Sequence, residues 1–173
     1  EYRKHNFTNR SFPDYRQQYF TINGQPDPRE ATFGRLNHRF GDADLEDVGI
    51  FLNSSVPVFE SAQLYVFGGY SLRSGAASGF YRRANDDRTV RAIYPDGFLP
   101  FINTKIYDGS LIAGLKGSLG EWVYDASEAI GGNSFNFNVD NSANASFGAA
   151  SPTSFNVGAL KFYQSTTTID FVR

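Results

Sequence analysis

The chain has 173 residues, a length that suits one domain or one piece of a larger one. It contains no cysteine, which excludes disulfide frameworks, cysteine-ligated zinc and thiol nucleophiles. A net charge of −2 and a pI near 5.7 lack the basic footprint of a protein that neutralises phosphates, so nucleic acid is not an expected partner.

Seventeen Phe and ten Tyr stand against one Trp and no Met, with 17 Gly. That excess favours strands and turns over helices. No run approaches 18 consecutive apolar residues, and Glu1 to His5 is not the apolar core of a signal peptide. A membrane-spanning helix is therefore not expected. A transmembrane β-barrel fits, because its strands alternate and keep mean hydropathy low, here −0.38.

Residues 1–46 are polar and broken by Pro13, Pro26 and Pro28, with turn signals at Asn23-Gly24 and Gly41-Asp42. The reading is loop, with one strand between Gln17 and Ile22 and a long loop over 23–47. A strand follows over 48–58 and a short connection at Phe59-Glu60-Ser61. The strongest strand runs over 62–82, with Leu64, Val66, Gly68, Tyr70 and Leu72 on one face and Tyr65, Phe67, Gly69, Ser71 and Arg73 on the other. Its length exceeds what a tilted bilayer crossing needs, about 9 to 11 residues, so it either projects beyond a membrane or is bent at Gly75 and Gly79. A long loop over 84–107 ends in the Pro95-Asp96-Gly97 turn. Alternation resumes over 108–117, where Leu111, Ala113 and Leu115 oppose Ser110 and Lys116. After the turn at Gly117 to Gly120 comes a strand over 121–139, with Gly131-Gly132 as a second possible bend. A low-charge loop covers 140–155, and the last strand is 156–173.

Short turns thus alternate with long loops along an all-β, antiparallel up-and-down meander of about six strands. Outer-membrane barrels show this asymmetry, with short periplasmic turns and long extracellular loops. The aromatics near strand ends suit interface girdles, and the Phe, Val and Leu between them suit a lipid-facing band.

Several segments follow one another in order: NFTNRSFPDYRQQY at Asn6 to Tyr19, RFGD at Arg39 to Asp42, FLNS at Phe51 to Ser54, LYVFGGY at Leu64 to Tyr70 and GFYRR at Gly79 to Arg83. After them come YPDGFLP at Tyr94 to Pro100, GLKG at Gly114 to Gly117, EWVYDAS at Glu121 to Ser127, GGNSFNFNVDNSANASFG at Gly131 to Gly148 and SPTSFNVGAL at Ser151 to Leu160. Together, over nearly the whole chain, they resemble the barrel region of TonB-dependent outer-membrane receptors of Gram-negative bacteria. The resemblance implies a part of a large transmembrane barrel, roughly a quarter of about 22 strands. No segment looks like the plug domain that fills such barrels. It also implies energy-coupled import of a scarce nutrient (siderophore, cobalamin or carbohydrate), with outer-membrane lipid, TonB acting through the plug, and the imported small molecule as partners.

Arg82, Arg83, Arg88, Arg91, Tyr94 and Asn141 are the loop residues offered for ligand contact, since Arg and Tyr suit anionic or sugar-like ligands through forked hydrogen bonds and stacking. Other chemistry finds little support. Asp86, Asp87, Asp96 and Asp108 lack EF-hand spacing, His5 and His38 lack a second ligand at metal spacing, Asp125 with Glu128 has no pocket argued for it, and G-x-S-x-G does not occur. No enzyme activity, metal or cofactor is expected. Two other readings compete: a fragment whose unpaired strand edges assemble into a fibre, and a soluble carbohydrate-binding β-sandwich.

Overall fold

A computed structural model describes residues 1–173. Six strands form one antiparallel sheet in the order β1 (Tyr2–His5), β2 (Asp44–Phe59), β3 (Ala62–Ser78), β6 (Phe101–Leu119), β7 (Trp122–Asp140) and β8 (Ser154–Val172). A separate two-residue ladder joins β4 (Arg82–Arg83) to β5 (Gly97–Phe98). Each long strand pairs with its chain neighbour, so the meander expected from the alternation is present. The sheet is open: β1 and β8 are its two edges and do not pair with each other.

Connections of two residues, Glu60-Ser61 and Gly120-Glu121, lie at one end of the sheet. At the other end lie the three long connections 6–43, 79–100 and 141–153. The positions of the long strands match expectation within a few residues at most ends, and the departures have physical causes. Gln17 to Ile22 is not a strand. Only an isolated bridge between Ile22 and Gln25 forms there, closed by Asn23 at φ 50° and Gly24 at φ 77°, the paired positive angles that an Asn-Gly turn adopts. β1 was not expected, because its sequence Tyr-Arg-Lys-His carries three basic groups. It is held by cross-strand partners instead, Arg3 opposite Asp47 and Lys4 opposite Glu46.

β3 ends at Ser78, four residues short of the expected Arg82, and β6 begins at Phe101, seven residues before the expected start at Asp108. The loop read as 84–107 therefore gives up its second part to the sheet. Pairing runs unbroken past Gly75 and past Gly131-Gly132, so neither is a bulge. The register shifts occur instead at Pro57/Phe59 and Phe137/Asn138.

Burial is unusual. Only 14 residues are buried, and of the five that are apolar (Tyr19, Ala62, Ala84, Val90 and Phe98) just Ala62 lies in a long strand. The sheet has no core on either face. Of 99 main-chain hydrogen bonds, 80 lie within strands and helical turns, so ladders rather than apolar burial organise the strands. An antiparallel sheet ordinarily covers one face, and here neither is covered by the chain itself.

Candidate functional site

Because directly opposed residues share a face, the register sorts every side chain of the sheet. The first face carries, row by row, Val56, Leu64, Leu115, Ala126 and Ile169; then Ser54, Val66, Ala113, Glu128 and Thr167; then Leu52, Gly68, Leu111, Ile130 and Ser165. These groups stand in the open: Ile50 on the same face is 72% exposed. At the turn end this face closes with Trp122, Tyr124 and Phe171. Toward the loop end it closes with Tyr70, Tyr107 and Tyr163. From Gly117, which opposes Tyr124, to Tyr107 is ten residues along β6. That distance is about 33 Å at ~3.3 Å per residue, or roughly 25 Å in height at the strand tilt usual in barrels.

The second face over the same span is mixed. Its rows carry Pro57, Gln63, Lys116, Asp125 and Asp170; then Ser55, Tyr65, Ser127 and Thr168; then Asn53, Phe67, Ile112, Ala129 and Thr166; then Phe51, Ser110 and Gln164; then Ser71, Asp108, Asn133 and Phe162. Tyr65 donates its hydroxyl to Asp125 at 2.6 Å, and Lys116 sits 5.5 Å from the Tyr65 ring. Arg3 and Arg73 both bond the buried carboxylate of Asp47, at 3.0 and 2.9 Å.

Beyond the tyrosine row the character of the faces changes. The first face there turns polar, with Asn103, Lys105, Asn136 and Asn138, while the second carries Ile102, Ile106, Phe135, Phe137 and Val139 beside Asp47, Arg73 and Thr104. Phe135 and Phe137 pack with ring centroids 4.4 Å apart.

The three long connections at that end interlock into a cap. Asp14 accepts from the Arg16 guanidinium at 2.7 and 2.9 Å and from Gln18, which is fully buried, at 3.1 Å. Arg16 holds Asp14 well below the ordinary carboxylate range. Glu30 accepts the amides of Gln18 and Tyr19 at 2.6 and 2.9 Å and pairs with Arg35 at 2.7 Å. Tyr19 reaches across to the next connection, donating its hydroxyl to Asp96 at 2.9 Å, with Arg29 stacked 4.0 Å over its ring. Burial, reinforced by Asp96, pushes the Tyr19 phenol up to about 12.

His38 lies buried between Phe40, stacked at 5.2 Å, and Tyr81 at 5.9 Å. Since Arg16 can only donate to its Nε2, at 3.3 Å, the ring carries its proton on Nδ1 and donates to Asn37 at 2.7 Å. Burial lowers the His38 pKa from its ordinary value; the guanidinium of Arg16 adds to this, and Asp14 opposes it.

The loop residues offered for ligand contact fall into this cap. Arg83 donates to the Gln17 carbonyl at 3.0 Å, and Arg91 donates to the Ala84 carbonyl at 3.2 Å with its guanidinium 5.1 Å from the Phe20 ring. Arg88 grips Asp86 through two nitrogens at 2.8 and 2.7 Å. Tyr94 stacks on Phe98 at 4.4 Å and donates to the Ser142 carbonyl at 3.2 Å, and Asn141 donates to the Leu99 carbonyl at 2.8 Å. Arg83, Tyr94 and Asn141, and Arg91 through Phe20, tie the connections to one another, whereas Arg88 and Asp86 pair within one connection. Arg82, half-buried on β4, is the sixth. Phe12 and Tyr15, 86% and 84% exposed, are the cap's most open aromatic faces. Sequence reasoning passed over them and over the Asp14 cluster. Asp-X-Arg-X-Gln at 14–18, two residues apart each, was the available signal for the cluster.

Among the carboxylates weighed for calcium, Asp86 is held by Arg88, Asp96 by Tyr19 and Arg29, and Asp108 accepts from Asn133 on the second face of the sheet. No group of three or more His, Asp or Glu side chains gathers at metal-binding distance. Asp125 and Glu128 occupy opposite faces. No helix is long and apolar enough to cross a membrane, which says nothing of crossing by strands. No family model, curated protein or solved structure matched the chain.

Proposed function

We propose that this chain is part of the wall and outer loops of a TonB-dependent receptor, a β-barrel that imports a scarce small molecule across the outer membrane of a Gram-negative bacterium. One observation carries the reading: an uncovered apolar face of about bilayer height, bounded by two aromatic rows and backed by a mixed face that holds Lys116, Asp125, Asp170 and Asp108, charged groups that the first face lacks over that height apart from Glu128. Lipid covers the first face and a watery lumen the second, which is how a barrel wall divides its residues. The turn to polar groups on the first face beyond Tyr70, Tyr107 and Tyr163 fits strands that rise past the bilayer, with those groups turned outward to water. The interlocked cap then belongs to the extracellular side, where Arg82, Phe12 and Tyr15 are the groups free to meet a ligand.

An open six-stranded sheet cannot be this wall alone, because in lipid the edge N–H and C=O groups of β8 need partners. Further strands of the same barrel supply them. The same free edge favours a second reading, in which released fragments pair edge to edge into a fibre.

The intact mass and fractionation of the native gene product separate the readings. The receptor predicts a product several times longer than this chain, found in the outer-membrane fraction and released by detergent. Ordered multimers of a product near 19.2 kDa in plain buffer establish the fibre instead, and a buffer-soluble monomer of that mass rejects both.

A further inference from the structure

Where the first face turns from apolar to polar, neighbouring positions on three strands gather hydrogen-bond donors. Tyr107 on β6, Ser134 on β7 and Lys161 on β8 oppose one another in one row, and Lys105, Asn136 and Ala159 do so in the next. Both lysines are exposed. Neither pairs with a carboxylate, since every ion pair of the chain is made by Arg or His. The acids toward this end of the face are engaged elsewhere, Glu46 by Tyr2, Asp44 by Arg39, and Asp140 by Asn103 and Ser154. Asn136 gives its amide to the Ser134 oxygen at 3.2 Å and to the Lys105 carbonyl at 3.1 Å, which leaves the Ser134 proton to donate outward. Two ammonium groups and two hydroxyls thus share one patch with no carboxylate to receive them, a donor set that suits a phosphate group.

The patch is continuous with an apolar hollow. A depression of about 780 Å³ lies on its side toward the apolar band, floored by Gly109 and Gly132 and walled by Tyr70, Tyr163, Leu111 and Ile130. Tyr107 and Ser134 line it as well, so they belong to both. Glycine is what lets the Tyr163 ring lie against the strand here, because a Cβ on Gly132 would stand 2.7 Å from it.

We propose that patch and hollow together bind a membrane lipid through its phosphate group, which Lys105, Lys161 and the hydroxyls of Tyr107 and Ser134 hold while an acyl chain lies over Gly109 and Gly132. The inference rests on the first face being the lipid side. Aromatic rows mark the level of the headgroups in a membrane wall, and lysines at that level attract anionic ones. The hollow decides between a lipid and a soluble anion: free phosphate uses only the donors, whereas a phosphate carried on a hydrocarbon chain uses both halves of the surface. An uncharged hydrocarbon leaves the two ammonium groups unmatched.

The test reconstitutes the whole receptor with a single fluorophore at Leu72→Cys, the position opposite Tyr107 on β3, in phosphatidylcholine vesicles containing a minor share of phosphatidic acid brominated near the head of its acyl chains. The expected result is stronger quenching than the same share of brominated phosphatidylcholine gives, unchanged by inorganic phosphate in the buffer. Lys105→Gln and Lys161→Gln should each lower that preference about fivefold, the usual worth of one lysine at an anionic surface, and Lys105→Arg with Lys161→Arg should keep it. These positions are exposed, so the fold tolerates the changes. Equal quenching by the two lipids, a preference untouched by the Gln variants, or its loss to inorganic phosphate would each overturn the proposal. Quenching at Leu52 by brominated phosphatidylcholine is measured alongside. If Leu52 is quenched and phosphatidic acid is not preferred at Leu72, the site alone is wrong; if Leu52 is shielded, the membrane reading fails and the site with it.

Discussion

Tyr19 shows how the cap depends on single polar contacts. It is 3% exposed, packs edge-on against Phe33 at 5.9 Å, and spends its hydroxyl on Asp96, 77 residues away. Replacing it with Phe keeps the ring packing and leaves Asp96 without that donor. Tyr19→Phe should cost the cap about 1.5 to 3 kcal/mol, the usual worth of a bond to a charged group, read as faster amide exchange at Asn85, whose N–H bonds Gln18. The raised phenol pKa also fixes an alkaline limit. A group protonated more tightly in the fold stabilises it fully below its unfolded pKa of about 10 and loses that contribution as pH rises toward 12. The substitution should flatten cap stability across that window.

His38 sets the opposite limit. Its folded pKa is depressed, so the unfolded cap binds the proton more readily, and stability falls as pH drops below about 6.5. The fall should be visible as increased cap opening at pH 5.5 relative to 7.5, after correction for intrinsic exchange, and should vanish in His38→Gln. The carboxylates of Asp14 and Asp86, held down chiefly by Arg16 and Arg88, add a second loss only below about pH 4. Apart from the Asp14-X-Arg16-X-Gln18 spacing, little of this was legible in the sequence. Glu30, His38 and Asp96 lie far along the chain from Tyr19 and obey no period, and pattern reading detects periods.

At the scale of the element, the strands were legible wherever one face stays apolar, as in Leu111, Ala113 and Leu115. The first seven residues of β6 were missed for a related reason. Beyond Tyr107 the apolar side chains Ile106 and Ile102 fall on the other parity, so the alternation changes phase and reads as irregular loop. β1 escaped because its charges are satisfied by β2 rather than by local pattern. Close strand packing also uses residues that propensity disfavours. Gly114 is buried, and a Cβ there would stand within 2.4 Å of the Tyr65 ring. Gly114→Ala must push Tyr65 aside and break its 2.6 Å bond to Asp125. The expected cost is about 1 to 3 kcal/mol, with Tyr65→Phe in the same background adding little, because the bond is already lost. Full additivity of the two changes in a denaturation cycle would contradict that coupling.

The whole molecule is an open sheet with an apolar first face, a mixed second face and a cap of three interlocked connections at one end. An all-β meander follows from alternation and turn spacing, whereas the apolar character of the first face along all five long strands emerges only when the register aligns them. Neither face carries the cover that an antiparallel sheet in water normally finds, and β8 leaves one full edge of 19 residues unpaired. Both features make sense if membrane and further strands complete the structure. The most direct measurement places a single cysteine-linked fluorophore at Leu52 or at Asn53, neighbours on β2 that point to opposite faces, in the protein reconstituted with brominated lipids. The barrel-wall account predicts strong quenching at Leu52 and little at Asn53. Equal quenching at the two positions, or stronger quenching at Asn53, would contradict it.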